Sequence, residues 1–247
     1  MNRVVVTGMA LASPLGSTRE SAFEKLLSMK NCVKYMPELE EYERLNTKLA
    51  APVQGFTIPE HYNRKVLRTM GRVAYMSVAT AEEALKDAGL LGDEIICNGE
   101  TGVSYGSSSG SLETLIDFYS MEVDKEVKNV TSGSYVKMMP QTTTVNISLY
   151  FKTTGRVIPT STACTSGSMG IGYAYEAIKY GYETVMIAGG AEELHPTQIA
   201  IFDTLYATSQ KNTTPELTPS PFDKNRDGLV IGEGAGTLIL EEYEHAK

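Results

Sequence analysis

Hydrophobic and polar positions follow two alternating spacings along this chain. Short β-branched or apolar runs are separated by longer stretches in which apolar residues recur at helical spacing. Val4-Val5-Val6-Thr7-Gly8 predicts a short buried strand. Ser17 and Glu20 stand at capping-box spacing and open a helix whose Phe23, Leu26 and Leu27 share one face. Residues 31–63 are mixed and polar, which predicts loop with short elements. Residues 72–88 predict an amphipathic helix, with Val78, Ala81, Leu85 and Ala88 in register and Gly89 at its end. Residues 101–105 read as a strand leading into the small-residue turn Gly106-Ser107-Ser108-Ser109-Gly110. Helical spacing returns over 112–122 and 144–151. Residues 157–162 predict a buried strand, 167–180 a helix, 184–188 a strand ending at a Gly189-Gly190 turn, and 236–240 a last strand. Strands alternating with helices imply an α/β domain with a largely parallel sheet.

The junction Thr162-Ala163-Cys164-Thr165-Ser166-Gly167 carries the candidate chemistry. It places a thiol between a strand and a helix start, where unpaired N–H groups and a partial positive charge favour thiolate. The thiolate is the nucleophile, and backbone N–H groups around Cys164 suit an oxyanion hole. The alternative is a small buried hydrophobe, the usual fate of a free cysteine. Glycine in a helix costs about 1 kcal/mol relative to alanine. Gly167, Gly170 and Gly172 crowd the first turns nonetheless, which predicts close approach of backbone or ligand.

Composition narrows the class. The chain has 247 residues, 42% hydrophobic and 21% charged, which suits one large globular domain. No apolar run reaches the ~20 residues that span a bilayer. The β-branched start is no signal-peptide core. Cys32, Cys97 and Cys164 are too widely spaced for a disulfide framework or a zinc site, so a reducing, cytoplasmic compartment is expected. A net charge of −8 with no dominant basic stripe argues against nucleic acid.

Other motifs are weaker. Asp223-Lys224-Asn225-Arg226-Asp227-Gly228 copies the start of a calcium loop, but the required glutamate position is Gly234, so a rigid charged turn is expected. Gly232-Glu233-Gly234-Ala235-Gly236 precedes a strand rather than opening a helix, which removes the phosphate-binding terminus. An acyl-transferring thiolate normally needs a histidine partner. His61, His195 and His245 are the only histidines, and none has a local context that suggests catalysis.

Several blocks together resemble the N-terminal part of a β-ketoacyl-acyl-carrier-protein synthase, a condensing enzyme of the thiolase-like fold. They are Val4 to Gly8 with Ser13-Pro14-Leu15-Gly16, the Cys164 motif, Ala188-Gly189-Gly190-Ala191-Glu192, Pro221-Phe222-Asp223-Lys224 with Arg226-Asp227-Gly228, and Gly232 to Gly236. The resemblance covers the whole chain. It implies the first half of a duplicated fold over residues 1–247, a mixed and mostly parallel sheet with flanking helices, and a helical or loop insertion at about residues 31–100. Cys164 then takes an acyl group from a carrier-protein phosphopantetheine thioester, with its own N–H in the oxyanion hole. Decarboxylation of malonyl carrier protein supplies the carbanion for Claisen condensation, in fatty-acid or polyene/polyketide synthesis, with no further cofactor. Ser109 and Phe202 align with acyl-pocket positions, and serine leaves more room and a more polar wall than a bulkier aliphatic residue.

The family's two catalytic histidines and its lysine belong to the second half. The expectation is therefore a piece of a longer enzyme that holds the nucleophile but does not complete condensation alone. Arg64, Lys65, Arg68 and Arg72 stand against Glu60, a local +3 on an acidic chain. Such a patch steers an acidic carrier protein, and the resemblance assigns docking to Lys65 and Arg68. Tyr206 occupies a further position that is often basic. The family implies a homodimer, or a heterodimer with a related synthase or chain-length-factor subunit. A non-catalytic chain-length-factor-type partner is the alternative function, and Cys164 argues against it because such partners usually lack the nucleophile.

Overall fold

The computed structural model describes the whole chain, Met1–Lys247. Its strands are β1 (Val4–Ala12), β2 (Lys34–Tyr35), β3 (Leu49–Ala50), β4 (Thr101–Gly106), β5 (Val157–Thr160), β6 (Val185–Glu192) and β7 (Gly234–Glu242). Its helices are α1 (Arg19–Leu27), α2 (Arg64–Leu67), α3 (Arg72–Asp87), α4 (Leu115–Asp124), α5 (Ser132–Met138), α6 (Thr142–Phe151), α7 (Ser166–Lys179) and α8 (Pro196–Thr204). Two compact units form from segments distant in sequence: Met1–Ala12, Phe56–Glu192 and Ala235–Lys247 in the first, Ser13–Gly55 and Glu193–Gly234 in the second. Of the insertion expected over about residues 31–100, residues 31–55 fall in the second unit and 56–100, including α3, in the first.

The first unit is organised by a five-stranded sheet in the order β1-β7-β6-β4-β5. β4 runs parallel to both β5 and β6, and β1 runs antiparallel to β7. Side chains alternate across a strand, so neighbours in sequence report opposite faces. Leu238 and Leu240 of β7 pack with Ala174, Ala177 and Ile178 of α7. Thr237, the residue before Leu238, meets the Thr80 hydroxyl of α3 at 2.8 Å. α3 and α7 therefore cover opposite faces of the sheet.

α3 is buried well beyond one stripe, Ser77 and Thr80 included. Their hydroxyls donate to the carbonyls of Val73 and Met76 one turn back, which removes the cost of burying them. Gly8 lets β1 approach this helix: a Cβ there would lie 2.2 Å from the Ala84 carbonyl oxygen.

Several expectations change here. β1 is longer than predicted and only partly buried, being covered by α3 on one face. β5 is an edge strand, paired with β4 alone, with Val157 42% exposed and Pro159 exposed. Proline, lacking an N–H, is at home on such an edge. β6 continues through Gly189 and Gly190 to Glu192, where a turn was expected.

In the second unit α1 is capped by Thr18 with Ser21, not by Ser17 with Glu20. Phe23, Leu26 and Leu27 are 61%, 56% and 67% exposed, so the predicted apolar face is not a core face. The core of this unit is Leu39, Ala50 and Ile199, backed by Met36, Leu45, Leu194 and Ile231. A buried carboxylate staples its segments together. Asp203 of α8 accepts the backbone N–H groups of Asn46 and Thr47, the Asn46 amide and the Thr208 hydroxyl, at 2.7–3.0 Å. Burial pushes its carboxyl up, but the hydrogen bonds from Asn46, Thr208 and Thr47 outweigh that and hold it below the ordinary carboxylate value.

Candidate active site

The carboxyl ends of β5, β4 and β6 lie side by side, because Gly106 pairs in register with both Thr160 and Gly190. In α/β sheets this edge is where ligands bind. Three segments emerge there: the strand-to-helix turn holding Cys164, the serine turn after β4, and the end of β6 at Glu192.

The Cys164 turn is tight. Ala163 sits at φ +54°, a left-handed conformation that costs a non-glycine residue about 1–2 kcal/mol. Local bonds hold it there. The buried Ser166 hydroxyl accepts the Thr162 N–H at 2.9 Å and donates to the Ala163 carbonyl at 2.6 Å. Thr165 Oγ1 donates to the Thr162 carbonyl at 2.8 Å, and Thr160 Oγ1 donates to the Ser166 carbonyl at 2.8 Å. The turn leaves Cys164 exposed, directly before Thr165, the N-cap of α7. The buried-hydrophobe reading of this cysteine is thereby removed.

The glycines around it have distinct reasons. A Cβ on Gly106 would lie 2.4 Å from the Ser166 carbonyl carbon, and one on Gly190 would lie 2.7 Å from Gly167 Cα. A Cβ on Gly170 would lie 3.0 Å from the carbonyl oxygens of Ser104 and Gly189. The first turns of α7 rest directly on β4 and β6, so backbone approach explains these positions. Gly172 differs: a Cβ there would meet nothing within 4 Å, so packing imposes no glycine at that position.

Glu192 gathers the serine turn. Its Oε1 accepts the Ser107 hydroxyl at 3.0 Å and the Ser109 N–H at 3.2 Å. Its Oε2 accepts the Ser108 N–H at 2.8 Å and, more closely, the Ser108 hydroxyl. Ser109 thus sits in a turn fixed from behind by a carboxylate. In the sequence Glu192 ends the block Ala188 to Glu192 that resembles the family, but no local pattern gives it a role, because its partners lie 83 to 85 positions away.

Phe202 lies on α8 in the second unit and is half-buried. Lys65 is on α2 and Arg68 is its C-cap; both are exposed, and Asn63 caps the helix by accepting the Lys65 and Val66 N–H groups. Tyr206 follows α8 at 83% exposure. The three histidines have other partners. His61 Nε2 contacts Glu82 at 2.9 Å, His245 Nδ1 contacts Glu241 at 2.7 Å, and His195 caps α8 through the Thr197 N–H. Within the calcium-like turn, Asp227 is occupied by Ser209, Gln210 and Lys211.

Residues 1–246 match the N-terminal domain of β-ketoacyl synthases. The chain belongs to the β-ketoacyl synthase family. It is 36% identical to 3-oxoacyl-[acyl-carrier-protein] synthase 2 of Vibrio cholerae, over 99% of this chain and 59% of that protein. It is similar to the crystal structure of a β-ketoacyl synthase from Burkholderia phymatum, with a TM-score of 0.97 and 54% identity, over 100% of this chain and 60% of that one. A type II polyketide synthase acyl-carrier protein in complex with its ketosynthase, bound to the hexaketide, matches at TM-score 0.80 and 26% identity, over 99% of this chain and 59% of that one. The fold is accordingly thiolase-like, with the mixed sheet expected from the resemblance. The β-ketoacyl synthase chain spans about three fifths of the length of these relatives. No helix is long and apolar enough to cross a membrane.

Proposed function

We propose that this β-ketoacyl synthase chain supplies the acyl-accepting nucleophile of a condensing acyltransferase. The observation that carries the reading is the exposed Cys164, held on a hydrogen-bonded turn at the carboxyl edge of the sheet in a chain of this family. The Cys164 thiolate attacks the thioester carbonyl of an acyl group on carrier-protein phosphopantetheine. The Cys164 N–H faces the developing oxyanion, and the pantetheine thiol leaves with a proton. The carbanion released by malonyl decarboxylation then attacks the Cys164 thioester, forms the new C–C bond and frees the thiol. Splitting the reaction through a covalent thioester replaces one difficult step with two easier ones.

Ser109 lines the acyl pocket in this reading, and Lys65 and Arg68 dock the acidic carrier protein. The polyketide carrier-protein complex among the similar structures supports that partner. A homodimer, or a pair with a related synthase or chain-length-factor subunit, belongs to the same reading, as does a cytoplasmic location. In this reading the 247-residue chain alone accepts an acyl group at most, because the two histidines and the lysine of condensation belong to the family's second half. Cys164 favours the enzyme over a non-catalytic chain-length-factor-type subunit.

The test is acylation of the complete protein by an acyl-carrier-protein thioester, read by peptide mass. Acyl adducts are expected on Cys164, none on Cys32 or Cys97, and none in Cys164→Ala. Faster iodoacetamide labelling of Cys164 than of the other two cysteines is expected alongside. Equal, slow labelling of all three, without acyl transfer, overturns the reading. Lys65→Glu with Arg68→Glu is expected to raise the KM for carrier-linked substrate at little change in kcat.

A further inference from the structure

We propose that Glu192 is a positioning residue that sets the acyl-chain preference of this site. Its carboxylate accepts four hydrogen bonds from three consecutive residues, Ser107, Ser108 and Ser109, across 83 to 85 positions of sequence. Two of those donors are backbone N–H groups, one on each carboxylate oxygen: Ser109 on Oε1 and Ser108 on Oε2. A hydroxyl can rotate to suit an acceptor or a donor, but a backbone N–H cannot. Only a carboxylate satisfies both ends, because a glutamine must turn its NH2 group towards one of the two N–H groups.

The turn is further closed by the Gly110 N–H donating to Ser107 Oγ at 3.1 Å. Gly110 itself stands at φ +67°, and a Cβ there would lie 2.4 Å from the Met138 carbonyl oxygen. The turn therefore cannot retreat as a unit, and loss of one Glu192 contact moves Ser108 or Ser109 locally. That displacement changes the wall presented to the acyl chain while leaving the Cys164 turn, with its separate hydrogen bonds, in place. The inference rests on the reading of Ser109 as an acyl-pocket residue and of Cys164 as the acylated group.

The experiment uses the complete protein, wild type and Glu192→Gln, offered pairs of saturated acyl-carrier-protein thioesters of short and long chain in competition. The ratio of long to short acyl adduct on Cys164 is the readout, because a general structural defect lowers both alike. Glu192→Gln is expected to change that ratio about tenfold, the size of the discrimination one methylene makes in an apolar pocket. Should Glu192→Gln fail to fold, Ser108→Ala, which removes one hydroxyl donor and keeps both backbone bonds, is expected to move the ratio in the same direction by less. An unchanged ratio in a folded variant, or an equal fall for every chain length, overturns the inference and leaves Cys164 acylation standing. A wild-type protein with no acyl adduct on Cys164 overturns the proposed function, and this inference with it.

Discussion

Gly106 and Gly172 make opposite predictions for the same substitution. Gly106 ends β4 beneath the first turn of α7; an alanine Cβ there would lie 2.4 Å from the Ser166 carbonyl carbon, 2.5 Å from its oxygen and 2.8 Å from the Gly167 nitrogen. All three atoms are backbone, so no side chain can swing away. Restoring an ordinary 3.4 Å contact requires α7 to shift by about 1 Å at its start, and forced overpacking of this kind costs roughly 1–3 kcal/mol. The shift falls on Ser166, whose hydroxyl holds Thr162 and Ala163 in the turn before Cys164. Gly172 is an exposed interior position of α7 with nothing within 4 Å of its would-be Cβ. Alanine there is expected to gain about 0.5–1 kcal/mol from the lower helix cost alone. The assay is urea unfolding of the wild type and both variants, paired with the rate of Cys164 alkylation. Gly106→Ala is expected to lower the midpoint and alter the alkylation rate; Gly172→Ala is expected to raise the midpoint and leave the rate alone. Shifts of the same sign in the two variants would falsify the backbone-approach account of the α7 glycines.

Further outcomes follow from the hydrogen-bonded turns and the buried carboxylates. Ser166→Ala removes both bonds that hold Ala163 at positive φ and is expected to cost about 1–2 kcal/mol in urea unfolding; an unchanged midpoint refutes it. Asp203→Asn turns an amide NH2 towards backbone donors and is expected to cost about 2–3 kcal/mol. Because the Asp203 carboxyl is held low, its stabilisation is present above the unfolded value of 3.8 and lost as pH falls through the lower folded value. Wild type and Asp203→Asn should therefore converge in stability in acid, and a gap that persists there counts against the staple. Glu183 is the reverse case: burial chiefly pushes its carboxyl up, against the N–H and charge of Arg156, and its Oε2 has no hydrogen-bond partner. Its contribution is full below the unfolded value of 4.5 and falls as pH rises through the folded value. Glu183→Gln is expected to flatten that decline, leaving the variant about 1 kcal/mol more stable than wild type at pH 8; a lower thermal midpoint there refutes it.

Local pattern was enough for much of this protein. The helical period across α3, the strand β4 with its small-residue turn, and the strand-to-helix junction at Cys164 all depend on residues close in sequence, and each lies where the spacing placed it. The short helices α2, α5 and α8 were not legible, since a few turns carry too little periodicity to stand out. Burial was not legible either. The β-branched pattern of residues 157–162 predicts a buried strand, and only the sheet order β1-β7-β6-β4-β5 puts β5 at the margin. Phe23, Leu26 and Leu27 share a helical face, but period alone does not say whether anything covers it. The Glu192 clamp lies further still from local pattern, because its donors stand more than eighty residues away. Cys164 and its turn were thus determined by neighbouring residues, whose hydroxyls and backbone groups lock one another within a few positions. The conformation of the serine turn after β4 was decided only in three dimensions, where parallel pairing of β4 with β6 brings the Glu192 carboxylate against its donors.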